Sequence, residues 1–440
     1  MKVGILGAML LLSASAANAA NSKGAFFGSR AAMTGAALSA ASAGTDASWY
    51  NPAGLAALTT TRIELSLSAL SYRLQQIKDG VSIDLPSGIK REKLGANEFV
   101  VVPSALVFAR QLTARVTLGL GVFATDSSDL RVSSNQQSSG EQDAQLGQVD
   151  SAVNVEAQAL GNSYYLGPAL GIRLGGSLRL GVSLFVAYAR QLYGSKFVTQ
   201  LRRSGAEPAF ASYVESADMR YLGLLASVGL QWQPLRWLHI GAVLRSPLLA
   251  LYIWGDYSAL STVHDVNGQA AAENESREIA NGTLEQGLPL SAELQLAIKT
   301  SRWSVGAVIE LSPPLSARGE LQNEVGLLWN LAVGALVDLP ADWQIGAGFY
   351  TDNSPSKGIA GFLDVDIDYY GINAGFQRAT VFKSGGRRLI LSTAIVVGYA
   401  VGSGQVGTLA YAPLRDQAQT VARDATFHEL TLHVGSGLTF

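Results

Sequence analysis

The sequence predicts an all-β chain: a 14-stranded antiparallel transmembrane β-barrel with an N-terminal plug inside its lumen. Three observations carry that expectation. Apolar residues recur with period two over strand-length segments, short connections alternate with long ones, and a small-residue segment that does not alternate precedes the first strand.

The alternation is regular. Val116, Leu118, Leu120, Val122 and Ala124 alternate with Thr117, Gly119, Gly121 and Phe123. Leu166, Leu170, Ile172 and Leu174 alternate with Tyr165, Gly167, Gly171 and Arg173, and Leu178, Leu180, Val182, Leu184 and Val186 with Arg179, Gly181 and Ser183. Leu290, Leu294, Leu296 and Ile298 alternate with Ser291, Glu293, Gln295 and Lys299. One face is continuously apolar and the other small or polar. Lipid satisfies no backbone polar group, so a sheet that spans it must close and turn its apolar face outward. A soluble sandwich shows the same alternation in shorter strands.

Strands are expected near 61–72, 100–110, 116–125, 163–174, 178–190, 220–233, 237–254, 288–299, 303–311, 324–339, 343–351, 365–379, 388–401 and 427–440. The number is even, as single-chain bacterial barrels prefer. Short connections near 111–115, 175–177, 234–236, 300–302, 340–342 and 380–387 alternate with long ones near 73–99, 126–162, 191–219, 255–287, 312–323, 352–364 and 402–426. That order puts both termini on the short-turn side, the periplasm of a bacterial outer membrane. Trp232, Trp303 and Trp343 flank short turns on the apolar face, where an interfacial girdle belongs; Trp237 falls on the other face.

Composition narrows the function. Only 15% of residues are charged and the net charge is −2, which excludes an electrostatic nucleic-acid binder. The 48% hydrophobic content excludes an acidic disordered chain. The absence of cysteine excludes disulfides, thiolate metal sites, a Cys nucleophile and lipoprotein acylation. Lys2, the apolar run Val3 to Leu12 and Ala17-Asn18-Ala19 read as a cleaved signal peptide. The expected organisation is a signal peptide over 1–19, a hatch over 20–60 and the barrel over 61–440.

The hatch segment is rich in Ala, Gly and Ser, which allow close packing against a wall. It carries Phe26-Phe27 near its start and Trp49-Tyr50 near its end. Asn51 before Pro52 favours an extended or turn conformation, with the Asn side chain free to bond local backbone. Gly28-Ser29-Arg30-Ala31 through Asp46-Ala47-Ser48-Trp49-Tyr50-Asn51-Pro52-Ala53-Gly54-Leu55 resembles the hatch of the FadL/TodX family of outer-membrane transporters for long-chain fatty acids and aromatic hydrocarbons. Pro103 to Val122, Arg245-Ser246-Pro247, Gly255-Asp256, Leu288-Pro289, Asp352-Asn353-Ser354-Pro355 and Asp368-Tyr369-Tyr370-Gly371 extend the resemblance over the mature chain. One departure is Thr125-Asp126-Ser127, where family members often carry Pro and Gly. The terminal strand, with Leu430, Leu432, Val434, Leu438 and Phe440 on one face, resembles the sorting signal read by the barrel-assembly machinery.

Catalytic chemistry is not legible. His239, His264, His428 and His433 lack metal-ligand spacing, and there is no G-x-S-x-G. Gly402, Gly404 and Gly407 form a G-x-G-x-x-G without a helix start after it, read as a Gly-rich surface loop. The expectation is no enzyme, no cofactor and no metal. Glu64, Arg173, Arg179, Glu293, Lys299, Glu324 and Asp338 face inward and are expected mainly to anchor the plug, with carboxylate binding as the alternative.

The resemblance implies uptake of hydrophobic small molecules, long-chain fatty acids first, by a monomer in contact with outer-membrane lipid and lipopolysaccharide. It implies capture in outer loops, binding in a hatch-lined pocket and lateral release through the barrel wall. Asn51, Pro52, Ala53 and Gly54 form the hatch motif, Phe26 and Phe27 are pocket candidates, and Phe197, Val198, Leu201, Phe210 and Tyr213 are capture candidates. A general porin and a structural or secretion-associated barrel are the rival readings.

Overall fold

The computed structural model describes residues 26–85, 88–143, 147–203, 208–264, 270–280, 289–314, 326–354, 359, 365–384, 387–412 and 417–440. The expected signal peptide, Glu324 and the segment 281–288 lie outside the described residues. Among the described residues sixteen strands run in chain order: β1 Arg62–Leu85, β2 Gly88–Gln111, β3 Val116–Asp143, β4 Gly147–Arg173, β5 Leu178–Arg203, β6 Ala209–Leu235, β7 Leu238–Arg245, β8 Leu249–His264, β9 Ala270–Ala280, β10 Ser291–Lys299, β11 Trp303–Ser312, β12 Leu328–Leu339, β13 Trp343–Asp352, β14 Val365–Ser384, β15 Arg387–Ala412 and β16 Gln417–Thr439. Fourteen of them, all but β8 and β9, close an antiparallel barrel, with β7 paired to β10 and β16 returning to β1. β8 and β9 form a hairpin that continues β7 beyond the barrel along β6.

The outer surface carries the predicted apolar face. Leu120, Val122, Leu166, Val182, Leu184, Leu294, Leu296, Val333, Ile372 and Val397 are all exposed. In water such a surface would be costly, at roughly 25 cal/mol per Å²; against lipid chains it is the required one. Aromatic side chains bound the band. Trp232, Trp303 and Phe440 are exposed at the turn end, and Tyr164, Tyr188, Tyr252, Tyr370 and Tyr399 at the other. Trp237, read from sequence as facing away, stands exposed in the turn between β6 and β7 and joins the turn-end girdle.

The strands on one side are much longer than expected. β3 has 28 residues and β4 has 27, about 90 Å of chain at ~3.3 Å per residue, whereas a tilted crossing takes about 9–11 residues. The connections read as long loops over 73–99, 126–162, 191–219 and 402–426 are therefore mostly strand, running on as tall hairpins. The G-x-G-x-x-G glycines lie inside β15, paired with β14 and β16, and not in a loop. β10 to β13 keep to 9–12 residues and rise little above the band. At the tall end the tip of β1 leaves β16 and pairs in parallel with β15, Val81 opposite Leu409.

The seventh strand, expected as one piece over 237–254, breaks at Ser246-Pro247-Leu248. Pro247 has no N–H for the ladder. The Ser246 Oγ accepts from the Ala226 N–H at 2.9 Å, and Leu248 turns inward. One-residue irregularities in β1 near Leu67–Leu70 and in β3 near Ala124–Asp126 shift the inward-facing parity of the strand above them.

Candidate ligand-binding site

The N-terminal segment folds inside the turn-end half of the barrel. It forms a helix at Ser29–Thr34, a 3-10 turn at Ser39–Ala41, a helical turn at Ala47–Tyr50 and a 3-10 turn at Pro52–Ala57. It is the plug the composition predicts. Inward glycines let its backbone touch the wall. A Cβ on Gly181 would fall 2.2 Å from the Pro52 carbonyl carbon and the Ala53 nitrogen, and one on Gly348 would fall 2.3 Å from the Thr34 carbonyl. The small-residue face of the strands is thus the seat of the hatch.

Asn51 is the central pin. Its backbone is extended, its Oδ1 accepts from the Ala53 N–H at 3.2 Å and caps the turn that begins at Pro52. Its Nδ2 donates to the Leu230 carbonyl at 3.1 Å and to Gln295 Oε1 at 2.9 Å, so one amide ties β6, β10 and the hatch. Gly54 is equally constrained, since a Cβ there would meet the Ser42 carbonyl at 2.6 Å. Wall side chains hold the hatch backbone elsewhere. Arg173 donates to the Ala56 carbonyl at 2.9 Å, Gln231 to the Ser39 and Ser42 carbonyls at 3.1 Å each, and Asn373 to the Ala32 carbonyl at 2.8 Å. Glu64 accepts from the Ser29 N–H and the Thr45 hydroxyl. Arg179 donates to Gln231 at 3.3 Å, and Asp338 accepts from Gln344 at 2.5 Å. Of the inward charges singled out in the sequence, Glu64 and Arg173 bond the hatch directly.

The two phenylalanines part company. Phe27 packs edge-on against Trp49 and Phe123, with ring centroids 5.1 Å apart in both cases. Trp49 also meets Tyr165 at 5.2 Å and Phe185 at 5.7 Å, so hatch and wall share one aromatic cluster. The Arg245 guanidinium lies 5.0 Å over the Trp49 ring, donates to the Trp49 carbonyl at 3.1 Å and stands 3.7 Å from Glu293. Phe26 points to the opposite wall, onto Tyr350 at 5.0 Å and near His433. Sequence reasoning missed Trp49, Phe123, Tyr165, Phe185 and Arg245 as a group. The signal was present: Phe123 is a large aromatic on a face otherwise made of Thr117, Gly119 and Gly121, and Tyr165 on one made of Gly167, Ala169, Gly171 and Arg173.

Beside this cluster the barrel wall parts. β2 and β3 pair only from Gln111–Thr117 up to Ala105–Phe123. Above that level β2 continues with β1 and β3 continues with β4, and among the described residues the two do not pair. Pro103, which lacks an N–H, and the irregularity at Thr125, where the sequence departs from the family pattern, stand at the foot of the split. A wall with unpaired edges is tolerable only where protein, water or a passing molecule meets them.

The capture candidates lie on the β5–β6 hairpin and not in a loop. Phe197 and Tyr213 are buried facing the lumen, directly opposite one another across the hairpin. Phe210 faces outward, stacked on His264, and Val198 is half-buried. Leu201 belongs to β5, with its side chain outside the described residues. Phe197 and Tyr213 join Ile77, Val132, Val155 and Tyr257 in an apolar cluster at the tall end. Among the described residues no group of His, Asp and Glu is placed to hold a metal.

No family model matches the chain, and no curated protein sequence matches it. Solved structures do. A FadL homologue from Pseudomonas aeruginosa superposes with a TM-score of 0.61 over 95% of this chain and 99% of that one, at 12% identity. The toluene transporter TodX from P. putida gives 0.53 over 90% and 94% at 14% identity. The toluene transporter TbuX from Ralstonia pickettii gives 0.53 over 96% and 99% at 13% identity. The chain has the fold of the FadL/TodX-type barrels.

Proposed function

We propose that the chain takes hydrophobic small molecules across the bacterial outer membrane. The reading carries most weight from one observation: an aromatic cluster shared by hatch and wall sits at the foot of the split between β2 and β3. An apolar solute gains from leaving water at about 25 cal/mol per Å² buried. The apolar lumen of the tall end offers that gain first, the Trp49 cluster next, and the β2–β3 split gives sideways access to lipid. The hairpin end faces outside, and both termini lie on the periplasmic side. Long-chain fatty acids and monoaromatic hydrocarbons are the two ligand classes; the neighbours described as toluene transporters favour the second. The buried hatch speaks against an open water-filled porin.

The test is uptake in a Gram-negative host that lacks its own outer-membrane transporter of this type, given oleate or toluene as sole carbon source. Heat-shifted gel mobility checks that the barrel has folded. Growth on either compound only when the chain is present supports the reading. A folded, surface-located barrel that rescues neither contradicts it.

A further inference from the structure

The apolar cluster of the tall end surrounds an acid. Glu215 lies on β6, beyond the lipid-facing band, and is 2% exposed. Its inward-facing neighbours are Ser195 on β5 and Ala259 on β8, directly opposite, with Tyr193, Tyr213 and Tyr257 around it. Tyr213 and Tyr257 turn their hydroxyls toward the carboxyl. Even so, among the described residues neither Glu215 Oε1 nor the Tyr213 hydroxyl reaches a partner at hydrogen-bonding geometry. Burial pushes the Glu215 carboxyl up to about 7. The two tyrosines and Arg277 on β9 pull it down, and Glu275 on β9 pushes it further up.

A buried acceptor and a buried hydroxyl left unpaired side by side cost stability, about 1–3 kcal/mol each. An apolar residue in the place of Glu215 would pack the cluster without that cost. The pair makes sense if something else completes it. It stands in the lumen, on the route that the proposed uptake requires, and its surroundings are aromatic. We infer that Glu215 and Tyr213 form a polar subsite in the outer lumen that takes the hydroxyl of an otherwise apolar ligand, a phenol or a comparable aromatic alcohol. The ligand hydroxyl donates to Glu215 Oε1 and accepts from the Tyr213 hydroxyl, while its ring lies against Phe197 and Tyr257. A ligand carboxylate is disfavoured here, because it brings a second acid against the first. The inference rests on the uptake reading and names its substrate class.

The experiment compares p-cresol with p-xylene, a matched pair in which hydroxyl replaces methyl. Binding to the purified full-length barrel in detergent is followed by tryptophan fluorescence. The expected result is about tenfold tighter binding of p-cresol, the effect of about 1.4 kcal/mol of hydrogen bonding. Glu215→Leu should abolish that preference, and Tyr213→Phe should reduce it. Glu215→Gln keeps the shape and provides a second folded variant if Glu215→Leu misassembles; it too should lose most of the preference. Equal binding of both compounds by the unmodified protein, or a preference that survives in the Glu215 variants, overturns the inference and leaves the uptake reading standing. Binding of neither compound also overturns the inference, and the uptake reading is then decided by the growth test on oleate and toluene.

Discussion

The same strands obey opposite rules at two heights. In the lipid band, β5 turns Leu180, Val182, Leu184 and Val186 outward and keeps Arg179, Gly181 and Ser183 inside. Above it, β4 turns Val149, Val153, Val155 and Ala157 inward and Asn154, Glu156 and Gln158 outward. The backbone is one continuous ladder through both regions. What changes is the medium. Lipid demands an apolar outer face and leaves the interior to the hatch, whereas water demands a polar outer face and leaves the interior to pack on itself. The hatch is held by backbone contact at glycines and by polar side chains. The tall end is held by side-chain packing.

This difference can be broken from either side. The largest effect is expected where hatch and wall touch. Gly181→Leu forces a side chain into the Pro52–Ala53 backbone and should leave little heat-modifiable barrel on a gel, while Gly176→Leu in a turn, where a Cβ meets nothing within 4 Å, should behave as the unmodified protein. Next comes the lipid band: Leu296→Arg should cost about 2–4 kcal/mol in folding into vesicles, and Gln200→Arg, on the outward face of the tall end, less than about 0.5 kcal/mol. Asn51→Ala removes the pin between β6, β10 and the hatch and leaves Gln295 without that partner. It should lower stability by about 1–3 kcal/mol in denaturant titration. Deleting Asn51–Gly54 should leave a heat-modifiable barrel with impaired uptake.

The smallest effect concerns pH and the tall end alone. Glu215 has a folded-state pKa raised to about 7. Its contribution is therefore fully present below the unfolded carboxyl range near 4.5 and is lost as pH rises through about 7. Protease sensitivity of the β5–β6 hairpin should rise over that window and become flat in Glu215→Gln, with the barrel gel shift unchanged throughout.

Fourteen spanning strands, Trp232 and Trp303 at the turn end, and the plug were legible, because each follows from the rule for lipid: apolar outside, aromatic at the edge, small where the plug sits. The strand extensions were not, because an apolar outer face is the wrong test once a strand leaves the membrane. Val153 and Val155 alternate as regularly as Val182 and Leu184, with the inward and outward roles exchanged. One-residue shifts in β1 and β3 further hide the alternation across the boundary. The break at Ser246-Pro247 carried a proline as its signal. The Trp49 cluster gathers residues from β3, β4, β5 and the hatch, and no spacing along the chain brings those together. Each wall strand gave a local hint only: a lone aromatic above a run of glycines and small polar residues.

On the proposed uptake route, the apolar path leaves the barrel between β2 and β3. The chain has no cysteine, so a pair of cysteines introduced above Ala105 on β2 and Phe123 on β3, where the ladder between the two strands ends, can bridge the split without competitors. Ligand uptake by this variant would be measured oxidised and then reduced, with barrel folding checked in both states. Uptake should be lost in the oxidised form and restored by reductant. Equal uptake by a fully bridged and a reduced barrel would contradict it.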